Sequence, residues 1–333
     1  MAPNIVVMGG GTGTYTVLTG LKKHETTLSA IVSMMDSGGS NRILRDEFGL
    51  LPTSDIRQCM IALADEKQNE LLRNLFTYRF SQGIGISGMT FGNLFMAALT
   101  DMYGSQKKAI LETCTLLGIT GSIIPVTYDN VHLIARYANG KEILGEHFID
   151  EPSTPNGDLV ELSTVPKAEV SEEAREAILN ADIIVLGPGD LFTSTIANLV
   201  VKGVPEAIRK SNAKVFYVVN LMTKNGQTDN FTAKKHIEII SNYLGKHPDV
   251  SFVQKQFSLS SELKKRYNEE HASVVINDVK DPAFRIVEAD FMSGRVVERQ
   301  KGDTLVRSLV RHDSKKLANA ILEAWTIVFS AKS

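Results

Sequence analysis

The sequence predicts an α/β fold built on a mostly parallel sheet, with one antiparallel excursion in its middle. Three observations predict it. Short apolar runs, many of them β-branched, recur along the chain and are too short to be helices. Glycine-rich or polar punctuation follows directly after them. Segments of helical pattern come next, and this alternation is the mark of parallel α/β architecture.

In chain order, Ile5–Met8 reads as the first strand and Thr14–Lys23 as the helix after it. Leu28–Met34 (LSAIVSM) is the second strand, and Asp55–Ala64 (DIRQCMIALA) is a helix with Ser54 placed to be its N-cap. Leu71–Phe76, Gly92–Met102 and Gln106–Leu117 are three further helices. Ile123–Thr127 and Val131–Tyr137 are strands. Asn139-Gly140 then offers a type I′ turn into Glu142–Phe148, which makes a hairpin excursion around residues 121–150. Glu151–Asp158 (EPSTPNGD) is a loop. Helix Glu172–Leu179 and strand Asp182–Leu186 restart the α/β pattern. Val204–Lys210 (helix), Lys214–Val219 (strand) and Ala233–Leu244 (helix) continue it. Ser251–Gln254, Glu262–Asn268 and Ser273–Ile276 extend it more weakly, and Ser314–Ser330 is the final helix. No linker, repeat or low-complexity tract intervenes, so residues 1–333 read as a single elaborated domain.

With 43% hydrophobic and 22% charged residues and a net charge of -2, the chain can bury enough apolar surface to offset its ordering entropy, which excludes disorder. The charge balance argues against a nucleic-acid partner. Cys59 and Cys114, the two cysteines, make no disulfide framework and read as reduced thiols. The N-terminus lacks a basic segment before its apolar run, and no stretch approaches the roughly 20 apolar residues of a membrane span. The expectation is a soluble, cytoplasmic protein with no membrane partner and a homodimer as the default assembly.

Four unusual loops each follow a strand: Gly9–Gly13 (GGGTG), Met35–Ser40 (MDSGGS), Gly187–Ser194 (GPGDLFTS) and Asn220–Thr232 (NLMTKNGQTDNFT). Ligands of open parallel sheets bind at the carboxyl ends of strands, so these loops predict one shared cleft. Gly9, Gly10, Gly11, Thr12 and Gly13 open a helix, and serve either as an anion cradle or as a bare tight turn. They form neither a Walker A loop nor a regular G-x-G-x-x-G, because Thr14 stands at the third glycine position. Asp36 could bond ribose hydroxyls, hold a divalent cation such as Mg²⁺, or cap a turn. Ser37, Gly38, Gly39 and Ser40 suit an anion nest. Gly187, Pro188 and Gly189, followed by Thr193, Ser194 and Thr195, form a second phosphate cradle or a plain N-cap. Asp190 sits awkwardly there beside an anion unless a cation intervenes. Asn198 lies one helical turn on, and Asn220 and Thr223 belong to the fourth loop. Asn93 bonds a ligand or caps its own helix, the latter being the simpler reading. Arg42, Arg45 and Arg57 flank the second loop as solvated charges, one of which could reach a phosphate. The seven histidines show no metal-ligand spacing, and no C-x-x-C or G-x-S-x-G occurs. Lys264-Lys265-Arg266 reads as a solvated helix face.

On these residues the chain resembles the 2-phospho-L-lactate transferase (CofD-like) superfamily, and more closely its YvcK-type, gluconeogenesis-factor branch. The resemblance is carried by GGGTG at 9–13, DSGGS at 36–40, PTSDIRQCMIALAD at 52–65 and GMTFGNLFMAALT at 88–100. Most specific is the run from GPGDLFTSTIANL at 187 through NLMTKNGQTDNFTAKKH, ending at 236. It implies a Rossmann-like, doubly wound fold and a cleft for a nucleotide-linked diphosphate. Transferase members move a phospholactyl group from a nucleotide diphosphate donor to a deazaflavin with Mg²⁺, which here would involve Asp36. YvcK-type members look like regulatory binders of UDP-sugars, and their C-terminal Tyr and Arg match Tyr267 and Arg311. Four departures stand out. Ser37 replaces a second acid, Arg42 a glycine, Met89 a histidine and Asp190 a serine, which implies an altered ligand or weaker anion binding. A serine, Ser54, also replaces a glycine. The sequence therefore leaves three readings: a UDP-sugar-binding regulator first, a phospholactate-type transferase second, and an NAD(P)-binding oxidoreductase last.

Overall fold

Strand β1 (Asn4–Gly9) lies in the interior of the main sheet. The computed structural model describes residues 2–65, 70–152, 157–294 and 309–330. β1 pairs in parallel with β2 (Thr27–Val32) on one side and β7 (Ile183–Leu186) on the other. β3 (Ser122–Pro125) follows beyond β2, while β8 (Lys214–Val218), β9 (Val250–Gln254) and β10 (Ile286–Ala289) follow beyond β7. The result is a seven-stranded, wholly parallel sheet of order β10-β9-β8-β7-β1-β2-β3. The chain leaves β1 in one direction, returns, and leaves in the other, which is the doubly wound topology.

The residues explain the layering. β1 is apolar at successive positions, so it must be covered on both faces. Ile5 and Val7 pack with Val17 and Leu18 of α1 (Gly11–Leu21), Ile56 and Met60 of α3 (Ser54–Leu63), and Leu317 and Ile321 of α13 (Ser314–Ser330). Val6 and Met8 face the opposite way. They join Ile178 of α8 (Glu172–Leu179), Ile208 of α10 (Val204–Lys210) and Ile237 of α11 (Ala233–Leu244). The remaining helices are α2 (Gly39–Phe48), α4 (Glu70–Thr77), α5 (Phe91–Tyr103), α6 (Gln106–Leu116), α7 (Glu146–Asp150), α9 (Ala197–Leu199) and α12 (Ser261–Glu269). Among the described residues no helix is long and apolar enough to cross a membrane. Cys59 is buried in the core, Cys114 is partly buried, and both are free thiols.

The middle of the chain departs from the expectation in extent. β4 (His132–Tyr137), β5 (Glu142–Leu144) and β6 (Leu159–Val165) form a three-stranded antiparallel sheet of order β5-β4-β6. Ile123–Thr127 belongs to the main sheet as β3, and the excursion closes only with β6. The run Glu142–Phe148 is three residues of strand followed by α7. Residues 153–156 of the expected loop Glu151–Asp158 lie outside the described residues. The β4–β5 turn is not type I′, which needs two left-handed central residues. Four residues separate the strands, and only Gly140 is left-handed, at φ 81°. Ser54 does not cap α3. Thr53 precedes the helix, and the Ser54 hydroxyl instead donates to Asn41 Oδ1 at 2.9 Å. Ser273–Ile276 forms no strand, only an isolated bridge between Val274 and Met222. α2, β6 and β10 are additions that local pattern did not single out.

His236 on α11 is fully buried. Its Nδ1 lies 2.9 Å from the Thr232 carbonyl and donates to it, while Nε2 has no partner among the described residues. Burial pushes His236 down to about 4, and His312 as well. Both are neutral in the fold but take a proton near pH 6.5 once unfolded. Between these values each histidine binds more protons in the unfolded state, so its contribution to stability falls as pH drops from 6.5 towards 4, while Asp36 and Glu146, raised by burial, act in the opposite sense. Urea titrations of the wild type and His236→Asn across that window isolate the contribution of His236, roughly 3 kcal/mol at the low end. His236→Asn should gain stability relative to the wild type as pH falls, and a difference that does not change with pH would contradict the assignment.

Candidate functional site

The carboxyl ends of β1, β2, β7 and β8 open onto one cavity of about 780 Å³. It lies at the switch point between β1 and β7, where open α/β sheets bind ligands. Gly13, in the first turn of α1, packs so closely on the loop after β7 that a Cβ there would lie 1.9 Å from the Pro188 carbonyl oxygen. Gly11 N donates to Asp55 Oδ1 at 2.9 Å, which ties the first loop to α3. In the second loop, Asp36 accepts from Gly38 N at 2.8 Å and from Asn41 Nδ2 at 2.5 Å, and α2 begins at Gly39. The third loop turns into a π-helical segment, Leu191–Ile196, whose Ser194 and Thr195 amides both donate to the Asp190 carbonyl at 3.0 Å. Asn220 Nδ2 donates to the Gly189 carbonyl at 2.8 Å and fastens the fourth loop to the third. Three helical N-termini thus point into one space, an arrangement suited to anionic groups.

Most of the residues singled out from sequence meet there. Gly10, Gly11, Thr12, Gly13, Asp36, Gly38, Gly39 and Ser40 line the cavity, as do Pro188, Gly189, Asp190, Thr193, Ser194, Asn220, Thr223, Tyr267 and Arg311. Five do not. Gly9 ends β1 behind the turn, against the Thr14 hydroxyl. Ser37 turns away, and its hydroxyl accepts from His147 N at 3.0 Å. Gly187 sits under the third loop against the Val218 carbonyl. Asn198 is fully buried and donates to the Ser194 carbonyl at 2.8 Å. Asn93 is also fully buried and is not a cap, because Thr90 caps α5 by accepting from Asn93 N at 3.3 Å. Its side chain donates to Ser40 Oγ at 3.0 Å and accepts from Arg57 Nε at 3.2 Å, so it supports the second loop from beneath.

The sequence departures look different in three dimensions. Met89 is a core residue packed with Leu44 and Ala97. Arg42 is exposed outside the cavity, and Ser37 docks α7. Arg45 binds Asn130 and the Val131 carbonyl. Of the four, only Asp190 faces the ligand space. The expectation of a pocket remade by all four is therefore corrected to a single charged change. Tyr267 acts as an anchor: its hydroxyl accepts from Leu309 N at 3.0 Å and Val310 N at 2.9 Å, immediately before Arg311.

Sequence reading missed the acidic side of the cavity. α7, carried by the excursion, brings Glu146, His147 and Asp150, and the fourth loop brings Lys224. Asp55, Glu151, Glu270, Arg79 and His312 also line it, as does Arg57, which is buried and bonded to Asn93 and the Phe76 carbonyl instead of being the solvated charge expected. Burial raises Asp36, and burial with the neighbouring Asp36 and Asp150 raises Glu146 well above the ordinary glutamate range. Lys224 Nζ lies 2.6 Å from Asp150 Oδ1 and 2.8 Å from Asp190 Oδ2. Asp150 also accepts from Thr193 Oγ1 at 2.7 Å and Gln227 Nε2 at 2.9 Å. Burial alone would raise Asp150; Lys224 and these hydrogen bonds overcome it and hold the carboxyl below its usual range. Only the lysine within NLMTKNGQT could have signalled this cluster, and nothing in its spacing marks Lys224.

The expected cation site at Asp36 fits poorly. Both Asp36 oxygens already accept hydrogen bonds, and the Asp150 and Asp190 carboxylates are bridged by an ammonium. Among the described residues no group of three or more His, Cys, Asp or Glu is disposed to hold a metal ion.

Fold and cavity define a doubly wound α/β protein with its ligand space at the switch point. The chain belongs to the CofD family: the model described as 2-phospho-L-lactate transferase CofD matches residues 5–292. Within that family it is of the YvcK, gluconeogenesis-factor type. A "Putative gluconeogenesis factor" of Aquifex aeolicus is 42% identical over 96% of both chains. A "Gluconeogenesis factor" of Halalkalibacterium halodurans is 34% identical over 96% of both chains. A crystal structure of a Bacillus halodurans protein, 34% identical, superposes with a TM-score of 0.87 and covers 97% of this chain and 100% of its own.

The Gly13 contact is testable. A glycine-to-alanine change inside a helix ordinarily stabilises by about 0.5–1 kcal/mol. Gly13→Ala should instead destabilise by about 1–3 kcal/mol, because the clash is with backbone and no side-chain rotation relieves it. Urea unfolding measures the sign, and a stabilised variant would disprove the contact.

Proposed function

We propose that this chain is a YvcK-type regulatory protein that binds a nucleoside-diphosphate sugar of the UDP class. The observation that carries the reading is the convergence of three glycine-rich helical N-termini on one cavity. Aligned amides and helix dipoles favour a diphosphate there. The volume, about 780 Å³, lies within the range of small-molecule sites and leaves room beyond the diphosphate for a base and a sugar. The names of the relatives support a role in control of carbon metabolism. Tyr267 holds the segment that carries Arg311, and the Arg311 guanidinium, which lines the cavity, suits the polar end of such a ligand.

The family model carries the name of a transferase, and that favours a second reading. It requires a divalent cation at Asp36, for which the donor set is unsuited. A nucleotide-diphosphate phospholactate donor with deazaflavin and Mg²⁺ should give no product with this protein.

A thermal-shift and calorimetric panel of UDP-N-acetylglucosamine, UDP-glucose, GDP, GTP and NAD tests the reading. A ligand at about 100 times its dissociation constant stabilises the fold by about 2.7 kcal/mol, a visible shift. The UDP-sugars should produce it and NAD should not. Ser194→Asp places a carboxylate at a helical N-terminus, where it is tolerated by the fold but repels a diphosphate. It should keep the melting temperature and lose the ligand shift. No response to UDP-sugars at millimolar concentration, in a folded sample, would sink the proposal.

A further inference from the structure

The cavity poses an electrostatic problem for any anionic ligand. Among the described residues lining it there are seven carboxyl groups and four permanent cations. Two carboxyls, Asp36 and Glu146, are driven by burial towards their neutral forms. The other inward-facing pair, Asp150 and Asp190, has a positive charge beside it, which together with hydrogen bonds holds Asp150 below its usual range, while burial still raises Asp190 against it. That charge is Lys224. Its ammonium is within 2.6 and 2.8 Å of the two carboxylates, and its side chain is only 25% exposed.

Resting on the nucleoside-diphosphate-sugar reading, we propose that Lys224 serves as a built-in counterion, taking the place a divalent cation would hold, so that ligand binds without metal. The geometry supports this in three ways. Asp190 belongs to the third anion-facing loop, immediately before the helical N-terminus at Leu191, so its charge bears directly on a phosphate held there. Lys224 is held by its own backbone, since its amide donates to Thr228 Oγ1 at 2.8 Å. Asp150, the second partner, is fixed by Thr193 and Gln227, so this carboxylate is not free to swing onto an incoming ion. An ammonium already shared by two carboxylates is also a poor neighbour for Mg²⁺, which takes oxygen ligands and retains its waters. Lys224 therefore positions and neutralises; it acts on the ligand through Asp190 and Asp150.

Calorimetric titration with UDP-N-acetylglucosamine, in EDTA and in millimolar MgCl₂, tests the proposal. The wild-type protein should bind with the same affinity in both. Lys224→Gln leaves the two carboxylates uncompensated. Its affinity in EDTA should fall on the order of tenfold, the effect of one charge acting over about 10 Å at an effective dielectric of about 20. Mg²⁺ should restore part of it. The double variant Lys224→Gln/Asp190→Asn has the wild-type net charge and should bind without metal at near wild-type affinity, which also covers the case of a single variant that does not fold. A purely structural role for Lys224 would not produce metal dependence or its cancellation. Wild-type binding that needs Mg²⁺, a single variant as tight as wild type in EDTA, or a folded double variant that still binds poorly would each overturn the inference while leaving the ligand reading intact. No binding by wild type in either buffer would overturn that reading instead.

Discussion

The turn after β1 and the turn after β7 approach so closely that only hydrogen fits where Gly13 meets the Pro188 carbonyl. That contact closes the switch point of the sheet. It aligns the N-terminus of α1 with the π-helical segment after Asp190, and Asn220 then clips the fourth loop onto Gly189. Each of these loops is short and polar and would be poorly ordered alone. Close packing of the first loop on the third, and the hydrogen bond between the third and the fourth, gather these strand ends into a rim around the cavity.

The rim faces an acidic wall that comes from elsewhere in the chain. The antiparallel sheet β5-β4-β6 packs into the same core cluster as α8, α10 and α11, and so presents α7 to the second glycine loop. Ser37 N donates to Glu146 Oε2 at 3.4 Å, and the Ser37 hydroxyl accepts from His147 N. The excursion is thus part of the site. Its placement explains why Asp36 and Glu146 are buried against each other and shifted towards neutrality by desolvation.

Charge in the cavity is handled by two devices of different kinds. Where two carboxyls meet without a cation, burial suppresses their ionisation. Where a cation is present, at Lys224, its ammonium is shared by both carboxylates and holds Asp150 below its usual range, although burial still raises Asp190. Buried ion pairs are costly to desolvate, and removing one partner leaves an uncompensated charge. Here the trio stands next to the helical N-terminus that faces the ligand space.

The sequence alone determined the class of fold, the strand-end location of the cleft and most of its rim. Those follow from local causes: apolar runs too short for helices, glycines where a helix must begin against another chain segment, and the one-edge geometry of parallel strands. It also led to the family to which the chain belongs. Only the tertiary structure decided which polar residues look inward. Asn93 and Asn198 turned into buried supports, Ser37 became a dock for α7, and Met89 became core, because their orientation is set by neighbours distant in sequence. Glu146, Asp150 and Lys224 carry no motif. Their meeting depends on how the antiparallel excursion folds back onto the parallel sheet, a long-range packing choice that no local spacing encodes.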